Sequence, residues 1–181
     1  MVLFNRRPPT ELRGTLRVLS ALLSYPDTEH RGWLSEFVDI LDGEGALTES
    51  RRAEIRHFIQ RLASMEPLAA EADYVQLFDG GRATSLHLFE HVHGDSRDRG
   101  PAMLDLAQSY SQQGLELTEG ELPDFLPAVL EFASTLPASK AREFLGETTH
   151  LLQSIFSALL KRESGYASVL AALLEISGGT A

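Results

Sequence analysis

Leu12, Leu16, Leu19 and Leu23 recur at spacings of four, three and four residues, the repeat of one face of an α-helix. Thr10 is placed to cap that helix and Pro26 lies beyond its end. The same period continues down the chain. Residues 27–45 put Trp33, Leu34, Phe37, Val38 and Leu41 on one stripe, with Asp27 as the cap and Gly43 as a left-handed stop. Residues 48–65 carry Ile55, Phe58, Ile59 and Leu62, with Thr48 as the cap, and Pro67 opens a further helix, where its missing N–H costs nothing. The middle of the chain is less regular. Gly80 and Gly81 interrupt it, so residues 79–84 read as a hinge-like loop. A short helix "SLHLFEHV" follows and stops at Gly94. Residues 96–114 turn Met103, Leu104, Ala107 and Tyr110 inward, with Gly114 past the end. "ELPDFLPAVLEFASTL" restarts helix behind a proline, with Pro127 near its N-terminus. The last third predicts one long helix opened by Ser139, with Phe144, Leu145, Thr148, Leu151, Leu152, Ile155, Phe156 and Leu159 facing in. A short, mostly apolar helix stopped by Gly178-Gly179 follows.

No stretch alternates as a strand does, and no repeat period is visible. The pattern therefore predicts an all-α fold: one globular helical domain of roughly eight helices over residues 1–181, with residues 1–9 as a flexible N-terminus.

Composition narrows the function. The chain has 181 residues, 43% of them hydrophobic, enough for one real core. It has no cysteine, which excludes disulfides, thiolate nucleophiles and cysteine metal clusters. The net charge of -10, with no Lys/Arg run longer than a pair, argues against nucleic-acid binding and suits a cationic partner or simple solubility. The N-terminal arginines are not followed by an apolar run, so no signal peptide is expected. The longest apolar-rich stretch, "SVLAALLEI", falls well short of the ~20 residues of a membrane span. A cytoplasmic protein without membrane insertion is the expectation.

Candidate chemistry concentrates at "HLFEHVHGDSRDRG". His87, Glu90 and His91 match His-x-x-Glu-His. On a helix that spacing would set two imidazoles one turn apart for a zinc ion, with the carboxylate as base for its water. Catalytic zinc needs a third ligand, and no second motif supplies one, although His150 or a later Glu could be invoked. A zinc-dependent hydrolase is thus one alternative, half-buried helix histidines another. The following "HGDSRDRG" reads as a hydrogen-bonded corner. Gly94 permits a turn, Asp95 or Ser96 can cap the next helix, and one of Arg97 and Arg99 can reach back to a carboxylate while the other faces solvent.

A family resemblance enters on these residues. The run Tyr74-x-x-Leu77-Phe78, then Leu88-x-Glu90-x-Val92-His93-Gly94-Asp95-Ser96-Arg97-x-Arg99-Gly100-x-Ala102-Met103, then Tyr110 and Gly114, then Glu121-Leu122-Pro123-Asp124-Phe125-Leu126-Pro127, resembles the NarJ type of molybdoenzyme-specific chaperone, among the TorD/DmsD-like redox-enzyme maturation proteins. The resemblance runs from residue 12 to about 176. It implies an all-α cytoplasmic chaperone with no catalytic activity, no cofactor and no metal of its own, acting as a monomer or a dimer. The implied partner is the apo catalytic subunit of respiratory nitrate reductase, bound through its N-terminal signal-like segment and a second site. The chaperone would hold it until the molybdenum cofactor and an iron–sulfur cluster are inserted and it docks at the membrane.

The residues that would meet the partner are Tyr74, Leu77, Phe78, Leu88, Glu90, His93, Gly94, Asp95, Ser96, Arg97, Arg99, Met103, Glu121, Pro123, Asp124 and Phe125. The wider superfamily usually has His where this chain has Phe125, which removes the side chain that nucleotide binding in some relatives would use. A cationic amphipathic segment needs an apolar groove with carboxylates at its rim, and Glu121 and Asp124 are the expected rim. A plain helical adaptor for some other amphipathic helix is the remaining alternative.

Overall fold

The computed structural model describes residues 11–94 and 96–181. The expected Thr10 cap, the flexible 1–9 segment and Asp95 lie outside them. The described residues form eleven α-helices and one 3-10 turn. The count exceeds eight because the periodicity marks nine helical segments, two of which are each broken in two.

Helix α1 (Arg13–Leu23) is central. Leu16, Leu19, Leu22 and Leu23 are wholly buried, and the helix packs against α3 (Leu34–Glu44), α8 (Leu126–Thr135) and α11 (Ala167–Ser177). Its N-terminus is capped from a distance: the Glu44 carboxylate accepts the N–H groups of Gly14 and Thr15 at 2.9 and 2.6 Å. Gly14 is required there because a Cβ would stand 2.8 Å from Ile40 Cγ2.

The stretch 27–45 divides into α2 (Thr28–Gly32), capped by Asp27 as expected, and α3 (Leu34–Glu44). Trp33 sits at the break and is 51% exposed, against the inward position its spacing predicts. Gly32, a poor helix former, precedes it. The left-handed stop is Gly45, at φ 61°, and not Gly43, which lies within α3. Carrying the helix on to Glu44 is what delivers that carboxylate to α1.

Helices α4 (Glu49–Ser64, capped by Thr48) and α5 (Pro67–Phe78) follow the sequence closely, and Ile55, Phe58, Ile59 and Leu62 are all buried. The 3-10 turn Arg82–Thr84 leads to α6 (Leu88–Val92) and α7 (Arg99–Gln112). Leu104 is 72% exposed. The inward stripe of α7 is Met103, Leu106, Ala107 and Tyr110, at i, i+3, i+4 and i+7, which leaves position 104 about 100° off the face.

Helix α8 (Leu126–Thr135) buries Leu126, Val129 and Leu130 against α1, and the Ser20 hydroxyl donates to the Pro127 carbonyl at 2.8 Å. The predicted long C-terminal helix is α9 (Ala138–Glu147) and α10 (Thr149–Lys161). It breaks at Thr148, whose N–H and hydroxyl both bond the Leu145 carbonyl, a local alternative to the helical ladder. The start is Pro137-Ala138, one residue ahead of Ser139. Helix α11 (Ala167–Ser177) ends at Gly178, φ 82°. Among the described residues no helix is long and apolar enough to cross a membrane.

Candidate functional site: a groove where two distant segments pair

The two segments that carry the resemblance meet in space. His87 and Phe125 form an isolated antiparallel bridge, with Leu88 N–H donating to the Asp124 carbonyl at 3.0 Å and Leu126 N–H to the Leu86 carbonyl at 2.8 Å. The Tyr110 hydroxyl donates to the Pro123 carbonyl at 2.6 Å, tying α7 to the same point. The turn before α8 is thereby locked to the entry of α6.

Asp124 organises this junction from beneath. It is wholly buried, so it cannot be a rim carboxylate in contact with a peptide. Its Oδ2 accepts the Phe89 N–H at 3.0 Å, capping α6 from another element, and its Oδ1 stands 3.5 Å from His87 Nδ1, in ion-pair range but long for a hydrogen bond. His87 stacks at 5.1 Å on Phe125 and is half-buried. The Asp124 carboxylate raises the imidazole pKa, against the opposing effect of burial. A raised folded-state pKa stabilises the fold fully below the unfolded value of about 6.5 and ceases to do so as pH climbs through the folded value. Denaturant titrations across that window should therefore show wild type losing stability relative to His87→Gln as pH rises. A constant difference would show that the pair does not titrate with folding.

The zinc arrangement does not form. His87 is extended (φ -85°, ψ 102°) and precedes α6, so it does not share a helical turn with His91. The His91 ring bonds the Ser85 carbonyl at 2.8 Å instead. Among the described residues no group of three or more His, Asp or Glu side chains is placed to hold a metal ion.

Around the bridge run two adjoining depressions that share Phe78, Asp79 and His87. One, about 520 Å³, is lined by Tyr25, Tyr74, Leu86, Glu121, Leu122 and Phe125 among others. Tyr25 and Leu122 are 44% and 42% exposed there. Burial pushes the Glu121 carboxyl pKa up, with Glu131 adding to the effect. The other, about 540 Å³, is lined by Gly80, Gly81, Arg82, Ser85, Glu90, Gly94 and Arg99.

Of the expected partner residues, Tyr74, Phe78, Glu90, Gly94, Arg99, Glu121 and Phe125 line this groove. Tyr74 does so mostly buried, its hydroxyl bonded to the Leu23 carbonyl at 2.7 Å. Leu88, Pro123 and Asp124 are buried under it. Leu77 faces a different cleft, between α4, α5 and the α10–α11 turn. His93 lies on the outer side of α6, Ser96 and Arg97 are exposed at the corner, and Met103 is half-buried on α7. Of the two expected caps of α7, Asp95 lies outside the described residues and Ser96 sits too early: its hydroxyl accepts the Asp98 N–H at 3.3 Å, and Asp98 precedes the helix. Arg99 is the arginine that reaches back, to Glu90 at 3.9 Å.

Sequence reasoning missed Arg82, which donates through Nε and Nη2 to the Glu90 carbonyl at 3.1 and 3.0 Å. It also missed Asp79 and Tyr25. An arginine after two glycines has no periodic signal, and its contact is to a backbone atom.

The profile of the nitrate reductase delta subunit family matches residues 44–172. The chain belongs to that family. Its relatives in this family include the nitrate reductase molybdenum cofactor assembly chaperone NarJ of Escherichia coli (strain K12), 43% identical over 162 residues, covering 90% of this chain and 69% of that protein. A Bacillus subtilis (strain 168) protein named "Probable nitrate reductase molybdenum cofactor assembly chaperone NarJ" is 36% identical over 165 residues, 91% of this chain and 89% of its own. The crystal structure of a candidate redox enzyme maturation protein from Archaeoglobus fulgidus superposes with a TM-score of 0.67 over 96% of this chain and 98% of that one, at 23% identity, which shows a shared fold. The Escherichia coli and Bacillus subtilis relatives are both assembly chaperones by name.

Proposed function

We propose that this chain is a dedicated cytoplasmic chaperone for nitrate reductase. It binds the apo catalytic subunit at its N-terminal signal-like segment and at a second site, and holds it for molybdenum cofactor and iron–sulfur cluster insertion before membrane docking. The observation that carries the reading is the groove itself. The two segments by which the chain resembles these chaperones are far apart in sequence and build one wall together. The groove has aromatic and aliphatic lining, exposed Tyr25 and Leu122, and carboxylates from Asp79 and Glu121. That is the chemistry an amphipathic segment with cationic residues requires. The roles in the relatives' names support the choice of client.

Calorimetry with a synthetic peptide of the catalytic subunit's N-terminal segment tests it. Affinity should fall as salt rises from about 0.05 M to about 0.5 M, because the Debye length shrinks below the spacing of the charges. Glu121→Gln and Asp79→Asn should each weaken binding by roughly two- to fivefold at low salt, the range of partly exposed ion pairs. A peptide that does not bind removes the reading, and salt-independent affinity removes its electrostatic half.

A further inference from the structure

The two depressions differ in chemistry, and that difference assigns a polarity to whatever lies across them. The first is mostly apolar, with the carboxylates of Asp79 and Glu121. The second carries Arg82, Arg99 and the edge of His87. Resting on the groove proposed above, we infer that the second lobe takes a carboxylate of the bound segment, an Asp or Glu side chain lying a turn or two from the cationic residues that meet Asp79 and Glu121.

The lobe is built for this. Arg82 is fixed by its two bonds to the Glu90 carbonyl. It can lie where it does only because Gly94 has no Cβ, which would stand 2.2 Å from Arg82 Nη2. Among the described residues no partner occupies Arg82 Nη1. Arg99 is 28% exposed and meets Glu90 only at 3.9 Å, beyond hydrogen-bond reach, so its fork can accept a better partner. His87 turns Nδ1 toward Asp124, and its other ring nitrogen is a donor in the protonated ring, the form that the Asp124 carboxylate favours. Against these stand Asp79, shared with the first lobe, and Glu90. A carboxylate entering here displaces the long Glu90 contact of Arg99 and meets two guanidiniums in a chain whose net charge is -10. Long-range repulsion from that charge opposes any acidic peptide, so a preference for one can come only from local contacts.

Two synthetic helical peptides with the same apolar face and the same lysines in the last turn test this, one with two glutamates in the first turn, the other with two glutamines. The full chain at physiological salt should bind the glutamate peptide about fivefold more tightly, the upper range of a partly exposed ion pair. With Arg99→Gln the two affinities should converge, and Arg99→Lys should restore part of the gap. Glutamate in a first turn also raises peptide helicity, but equally for every protein variant, so the convergence reports the contact. Equal or weaker binding of the glutamate peptide by wild type overturns the inference and leaves the groove standing. So does a gap that survives Arg99→Gln. If neither peptide binds, the groove reading fails and this one with it.

Discussion

Asp124→Ala is expected to destabilise the protein by roughly 3 kcal/mol, at the low end for breaking a buried charged pair. The carboxylate is wholly buried, and the His87 Nδ1 atom that faces it is shielded from solvent. Its loss leaves the Phe89 N–H, now bonded at 3.0 Å, without an acceptor, and leaves His87 without the charge that favours its protonated ring. An unsatisfied buried donor alone costs about 1–3 kcal/mol. At about 2–4 °C per kcal/mol for a chain of this size, the melting temperature should fall by roughly 6–12 °C in scanning calorimetry. Asp124→Asn keeps an acceptor for Phe89 and loses only the charge, so its fall should be clearly smaller. It should also remove the low-pH stabilisation assigned to the His87–Asp124 pair. Equal losses in the two variants would mean that the cap is not what Asp124 supplies.

That residue also shows where sequence reading reaches its limit. The resemblance, and the carboxylates that a cationic segment requires, place Asp124 in "ELPDFLP" at the rim, while its position before a helix points to capping. It does cap a helix, but α6, 35 positions earlier, rather than the helix it precedes. Local rules place a carboxylate near an N-terminus; they do not say whose. Glu44, capping α1 across 30 positions, has the same character. By contrast the stripes on α1 and α4 were legible to the residue, because burying a 3.6-residue repeat is a local matter. The breaks at Trp33 and Thr148 were not, since each re-aims a helix toward a neighbour that periodicity does not contain. The groove lay between. Its residues were named from the resemblance, yet only the bridge between His87 and Phe125 shows that seven of them share a surface while three lie beneath it. The histidine spacing that suggested zinc failed for a comparable reason: the chain is extended at His87 to make that bridge, and α6 begins one residue too late for both rings to share a turn.

Gly94→Val should cost about 2–3 kcal/mol and remove partner binding along with stability. Two independent demands fall on this position. Its φ of 52° lies in the left-handed region, which a β-branched residue occupies only with strain of order 1–3 kcal/mol. Its missing Cβ is also the space in which the Arg82 guanidinium lies. A side chain there must push Arg82 off the Glu90 carbonyl, which frees the C-terminal end of α6 and disturbs the lobe that Arg82 lines. Gly94→Ala meets both demands in weaker form, since the far end of an arginine can move by an ångström or two. The melting temperature should therefore fall by roughly 5–10 °C for Val and by less for Ala. The two demands separate in a second background. Arg82→Ala removes the clash but not the strain, so Gly94→Ala should cost less in Arg82→Ala than in wild type, a non-additivity that a double-mutant cycle reads directly. Strict additivity would assign the whole effect to backbone conformation. No loss from Gly94→Val in either melting temperature or peptide affinity would show that the corner neither constrains the backbone nor shapes the groove.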